Sequence, residues 1–203
     1  MLMEKPIFNN RPNDRVSYAF TSEASGVKIR QDYFISRAVA VVGVVFAIPL
    51  IGGMHVLTTK RSKRMRDEPN KHCVPCGYLD FDETLYDGMI REVFEETSLY
   101  LPNYQDLCVF DNNKQPYQIK DSPSDNRQNV SMLYMTVLDF SANMDRFPTE
   151  IEMHFGNETQ EVKWLPLIDL YANKVDWEWA FHHDETIKTA SDYYLKHLQS
   201  KQC

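Results

Sequence analysis

The chain has 203 residues, 43% hydrophobic and 25% charged, which are the proportions of a globular protein with one substantial core. Its formal net charge of −7 argues against a protein that coats nucleic acid. No secretory signal is visible, so a reducing cytoplasmic setting is the simplest expectation.

Residues 1–28 are polar, with an Asn9-Asn10-Arg11-Pro12-Asn13-Asp14 stretch, and predict an N-terminal arm or irregular lead-in ahead of one domain spanning residues 29–203. From Ala38 to Met54 the chain carries no charge for 17 residues, near the lower limit for a membrane span. Its density of Val and Ile, Pro49 and the Gly52-Gly53 turn signal instead predict two hairpin strands, Arg37–Ile48 and Met54–Lys60, and no membrane contact. Lys60, Arg61, Lys63, Arg64 and Arg66 then form a basic cluster, read as a solvated strand end and loop with phosphate contact as the alternative. A short strand is expected near Val74. Cys73-x2-Cys76 has the spacing of half a zinc site, but no second Cys or His pair follows at suitable spacing.

Gly77 to Leu99 read GYLDFDETLYDGMIREVFEETSL. With Glu92 at zero on a helical wheel, Glu96 lies about 40° to one side and Glu95 about 60° to the other. Gly88 falls between them one turn earlier and is expected to leave the acidic face open. Met89, Val93, Phe94, Ile90, Tyr86 and Thr97 form a broad apolar stripe opposite. Asp80, Asp82 and Thr84 are candidate N-caps, and Pro102 requires the helix to end before Leu101. Three carboxylates this close repel one another, and a divalent cation would remove that cost; a solvated acidic face is the alternative. Arg91 projects about 100° away from Glu92 and is expected to pair with Glu83.

Further along, Leu107–Phe110 reads as a strand, and Asp111–Asn129 as a long polar insertion, either a lid or a surface loop. Val130–Phe140 is a strong strand, Phe155–Thr159 a loop, Val162–Leu165 a strand and Ile168–Ala172 a short helix. Trp179 to about Gln199 predicts a helix with Phe181, Ile187, Ala190, Tyr194 and Leu198 available for packing. The pattern is α/β, a sheet of mixed direction flanked by helices, with no internal repeat.

The spacing Gly77-x5-Glu83-x7-Arg91-Glu92-Val93-x-Glu95-Glu96-x-Ser98-Leu99 resembles the Nudix box, matching all but one of its nine specified positions. Ser98 stands where the family has Gly, which Ser can replace in a left-handed conformation at about 1 kcal/mol. The lead-in His72-Cys73-Val74-Pro75-Cys76, the segment Glu158 to Leu167 and the segment Trp179 to Ile187 are also similar to family features, so the likeness runs roughly from Arg37 to Leu198.

The resemblance implies a Nudix-like α/β/α sandwich and divalent-metal-dependent hydrolysis of a pyrophosphate bond in a nucleoside diphosphate linked to another moiety. It implies that Glu92, Glu95, Glu96 and the Cys76 carbonyl hold Mg²⁺ or Mn²⁺, and that Glu95 or Glu92 acts as general base. Gly77, Glu83 and Arg91 support the site. Glu158, six residues before Trp164, is the first choice for a further carboxylate in the site, and Glu161 the second. Tyr117, Arg127, Tyr134, Trp177 and Trp179 are available for substrate, with none assigned. The implied partner is a small nucleotide, and a homodimer is possible. A non-catalytic Nudix-like module that binds a nucleotide metabolite is the alternative.

Overall fold

Residues 15–21, 26–34, 37–122, 129–149 and 157–201 are described by the computed structural model. Two compact units divide the chain after Arg37. In the first, β1 (Arg15–Thr21) and β2 (Lys28–Phe34) pair antiparallel, Arg15 opposite Phe34 and Thr21 opposite Lys28. A strand pair therefore occupies part of the segment expected to be irregular, while residues 1–14 and 22–25 lie outside the described residues.

The second unit begins at Ala38. The apolar run becomes β3 (Val39–Ile48), a turn in which Gly52 and Gly53 both take positive φ (94° and 74°), and β4 (His55–Arg61). Val and Ile branch at Cβ and suit a pleated strand, and a strand buried on both faces needs no alternation. The two strands meet antiparallel only at Phe46 with Val56 and Ala47 with His55. The rest of that edge of β3 is taken by β6 (Cys76–Tyr78), after β5 (His72–Cys73) has paired with β4. Among the described residues no helix is long and apolar enough to cross a membrane.

Helix α1 (Leu85–Thr97) follows, then β7 (Cys108–Phe110), β8 (Gln118–Lys120) and β9 (Val130–Asp139). β9 runs parallel to β3 in unbroken register from Val39 opposite Val130 to Ile48 opposite Asp139. The polar insertion is thus partly regular: a tight turn at Asn112–Lys114 and β8, which pairs with β9. Its residues 123–128 lie outside the described residues. β10 (Thr159–Pro166) extends beyond the expected Val162–Leu165 and pairs antiparallel with β4. α2 (Leu167–Tyr171) is short, and α3 (His183–Ser200) is preceded by a 3₁₀ turn at Ala180–His182, where the sequence predicted helix from Trp179. Residues 155–156 of the expected loop before β10 lie outside the described residues.

Among the described residues one mixed sheet of eight strands results, in the order β10-β4-β3-β9-β7, with the short strands paired onto it. Its two faces are two cores. Val41, Val45, Ala47, Tyr134 and Leu138 pack with Met89 and Val93 of α1. Val42, Val44, Phe46, Leu133 and Val137 pack with Ile187, Ala190 and Tyr194 of α3. This is the α/β/α sandwich expected. Two residues depart from their expected burial. Phe94 is exposed and packs edge-on against Tyr100, and Leu198 is also exposed.

Candidate active site

The acidic residues are placed by the ends of α1. Thr84 caps the first turn, its hydroxyl accepting the Asp87 N–H at 3.2 Å. Ser98 ends the helix at φ 61°, the left-handed conformation that the replaced glycine would have taken, and its N–H donates to the Phe94 carbonyl. Between these caps Glu92 and Glu96 are buried and Glu95 is exposed. Gly77 on β6 leaves room for this: a Cβ there would overlap the Glu92 carboxylate. Gly43 on β3 similarly lets α1 approach, since a Cβ would meet Val93 at 2.8 Å and Met89 at 3.2 Å.

Arg91 does pair with Glu83, Nε donating to Oε2 at 3.0 Å and Nη2 to Oε1 at 2.7 Å. It also does more than its wheel position predicts. Its long side chain folds back, so that Nη1 donates to Glu92 Oε1 at 2.7 Å and Glu95 Oε2 at 3.0 Å, while Nη2 reaches the Tyr78 carbonyl. Gly88 also serves differently from expectation. A Cβ on it would crowd Glu83 and Leu79, so the glycine makes room for the Glu83–Arg91 pair rather than for the acidic face.

These contacts set the charges. The Arg91 guanidinium holds the Glu83 carboxyl below its usual range. Burial pushes Glu92 up, against the pull of Arg91, with the negative charges of Glu95 and Glu158 adding to the rise. Glu96 is pushed well up by burial, then by Cys73 and Glu92. Thr59 on β4 donates its hydroxyl to Glu96 Oε2 at 3.3 Å and lies 3.1 Å from Cys73 Sγ. Cys73 in turn is held well below the usual thiol range by the Cys76 thiol and by His183, whose Nδ1 accepts the Val74 N–H at 3.2 Å. Cys73, beside Cys76, therefore meets a histidine contributed by α3, which spacing along the sequence did not reveal.

One cavity of about 740 Å³ joins these groups. Gly77, Glu92, Glu95 and Glu96 line one side; Arg61, Arg66, Phe181 and His183 also line it, with Glu158 from the turn before β10. Glu161 instead pairs with Lys163 and is absent from the lining. Tyr117, Tyr134, Trp177 and Trp179 are also placed elsewhere. Tyr117 donates to the Thr186 carbonyl, Tyr134 is in the core, and the two Trp residues cluster with His72, Trp177 stacked at 3.8 Å. Arg127 lies outside the described residues. Phe181 was expected to pack as part of a helix. It sits instead in the 3₁₀ turn with φ 57°, followed by His182 at φ 56°. Such conformations cost on the order of 1–3 kcal/mol each for residues other than glycine and concentrate at functional sites.

The donor set fits a hard divalent cation. It offers three carboxylates on one cavity, two of them buried and disfavoured in their ionised form until a positive charge arrives. Among the described residues no three Asp, Glu, His or Cys groups stand close enough together to hold a metal ion; Arg91 engages Glu92 and Glu95, and Thr59 engages Glu96.

The family model described as the NUDIX domain matches residues 41–189, more than half of the chain. The chain belongs to the Nudix family. Among solved structures, this Nudix protein is similar to the NUDIX domain of Shewanella oneidensis NrtR complexed with ADP ribose (TM-score 0.57, 20% identity, covering 79% of this chain and 90% of that one). It is also similar to a C. elegans Ap4A hydrolase (TM-score 0.54, 17% identity, covering 79% and 98%). At these identities the likeness is one of fold. Among curated proteins it is 40% identical over 50 residues to the human m7GpppN-mRNA hydrolase NUDT17, a match spanning 25% of this chain and only 15% of that protein.

Proposed function

We propose that this Nudix protein hydrolyses a pyrophosphate bond in a nucleoside diphosphate linked to another moiety, using Mg²⁺ or Mn²⁺. The observation that carries the reading is that Glu92, Glu95, Glu96, Gly77 and Glu158 all line one cavity. The names of its relatives supply ligands and substrates of one chemical kind: ADP ribose, Ap4A and a capped mRNA end each hold phosphates between two larger groups. One related structure, an NMN adenylyltransferase/ADP ribose pyrophosphatase from Francisella tularensis, contains AMP and a manganese ion.

In this reading Glu92, Glu95, Glu96 and the Cys76 carbonyl hold the cations, which when bound polarise the phosphoryl oxygens and make a water more acidic. Glu95, the exposed member, takes the proton from the attacking water, with Glu92 as the other candidate. Glu158 adds a further carboxylate at the cavity. Arg91, fixed by Glu83, orients Glu92 and Glu95 and keeps their charges compatible before a cation binds. The free thiols of Cys73, Cys76 and Cys108 suit a reducing, cytoplasmic setting.

The test is incubation of the purified chain and Mg²⁺ with ADP-ribose, dinucleotides, nucleoside triphosphates and capped RNA. Turnover of at least one, reduced by at least about a hundredfold in Glu95→Gln and Glu96→Gln, is expected. Measurable binding of such a compound with no turnover of any would instead establish a nucleotide-sensing module.

A further inference from the structure

Arg91 holds two of the three glutamates of α1, Nη1 donating to Glu92 Oε1 and to Glu95 Oε2, and makes no hydrogen bond to the third. Among the described residues the Glu96 carboxylate has one hydrogen-bond partner, the hydroxyl of Thr59, which donates to Oε2 at 3.3 Å. Each carboxylate therefore has one oxygen held. Glu92 Oε2, Glu95 Oε1 and Glu96 Oε1 accept no hydrogen bond from any described residue, and all three side chains line the cavity. One fixed oxygen and one open oxygen is the arrangement of an oriented ligand.

Thr59 lies on β4, outside the box, and its place there is not explained by packing. Side chains alternate faces along a strand, so Thr59 shares a face with Leu57 and with Val162, its neighbour on β10. Leu57 and Val162 belong to the core beneath α1, and Thr59, 1% exposed, stands where that pattern calls for Val or Ile. Valine would fill the same space with no hydroxyl to satisfy. The preceding Thr58 turns its hydroxyl to a backbone carbonyl, that of Lys163 at 3.0 Å. Thr59 instead faces two side chains, Glu96 and Cys73, whose Sγ is 3.1 Å away. Its backbone is fixed from both sides, opposite Val162 on β10 and Cys73 on β5.

We propose that Thr59 is the positioning residue of Glu96. It does for the third glutamate what Arg91 does for the other two, holding Oε2 and leaving Oε1 for the cation. The inference rests on the reading of this cavity as a centre that binds divalent cations through the three glutamates. A hydroxyl suits the place because it orients a carboxylate without neutralising it. A second guanidinium would orient Glu96 as well but would repel the incoming cation. Cation affinity is thus set partly from the sheet, by a residue outside the box.

The experiment measures Mn²⁺ affinity by electron paramagnetic resonance, without nucleotide, for the full chain and its Glu96→Gln, Thr59→Val, Thr59→Ala and Thr59→Ser variants, with Tm for each. Thr59→Val keeps the shape and removes the hydroxyl; it is expected to weaken Mn²⁺ by about tenfold or more. On whichever nucleotide the wild type turns over, it should shift the Mg²⁺ activation curve to higher concentration, with nucleotide KM at saturating Mg²⁺ unchanged. Thr59→Ser keeps the hydroxyl and should stay within about threefold of wild type. A purely packing role predicts the opposite order, Val near wild type and Ser impaired by its missing methyl. Thr59→Ala supplies a second hydroxyl-free variant should Thr59→Val not fold. Mn²⁺ weakened by Glu96→Gln, yet bound by a folded hydroxyl-free variant as tightly as by wild type, would overturn the inference and leave the hydrolase reading standing. Mn²⁺ binding that Glu96→Gln does not weaken would overturn the cation reading of the cavity, and the inference with it.

Discussion

Gly77 and Glu92 show how closely the site is fitted around single atoms. A methyl group at position 77 has no space that the Glu92 carboxylate does not already fill. Gly77→Ala is therefore expected to displace Glu92 and lower kcat by about a hundredfold, the scale set by misplacing a reacting group by about 1 Å. Circular dichroism and Tm should change little by comparison, which separates this effect from unfolding. His72 gives a prediction of a different kind. It lies stacked on Trp177, and burial, then the charge of Lys60, lowers its pKa from 6.5 to about 4. Between those values the unfolded chain binds a proton that the folded chain does not, so this residue's contribution to stability is present above pH 6.5 and is lost as the pH falls toward 4. In urea titrations across that window, wild type should lose stability more steeply than His72→Gln, and parallel curves would show that His72 is not the group responsible. At this scale the sequence made the box residues legible because they sit within one helix and the turn before it. Arg61, Phe181 and His183 were not legible as a set. The chain brings them together through strand pairing and a 3₁₀ turn that no local spacing reports.

Helix α1 was the most readable element, since its cap, its apolar stripe and its stop signal all lie within its own neighbourhood. Thr84→Ala removes the hydroxyl that accepts the Asp87 N–H and should cost about 1 kcal/mol in chemical denaturation. Ser98→Gly should stabilise by up to about 1 kcal/mol, because glycine takes a φ of 61° without a Cβ penalty. How α1 lies on the sheet was not readable. The helix docks over Gly43, whose missing side chain is filled by Val93 and Met89. Gly43→Ala should push the helix off β3, costing about 1–3 kcal/mol and lowering kcat with KM nearly unchanged, as the carboxylates move together. An effect on stability alone would show that the carboxylates do not depend on this contact. The exposed Phe94 marks the same limit: a wheel drawn for the isolated helix shows which residues share a face, and only the sheet decides how wide that face is.

For the whole molecule, a mixed sheet flanked by helices followed from the two hydrophobic periodicities, and the sandwich from the family resemblance, but the neighbours within the sheet did not. Nothing local tells β3 that its parallel partner is β9, because that pairing joins residues 91 apart, Val39 to Val130. The consequence is one of timing during synthesis. At ~5–20 residues per second, β3 leaves the ribosome on the order of 5–20 s before β9 exists to meet it. β4 and β6 can cover one edge in that interval, while the edge facing β9 stays open along ten apolar residues. Nascent chains stalled before Val130 should thus be held by chaperones or aggregate, and release should come only once Asp139 has emerged. The strand that anchors the centre of the finished protein is, during its birth, the segment most exposed to the wrong partner.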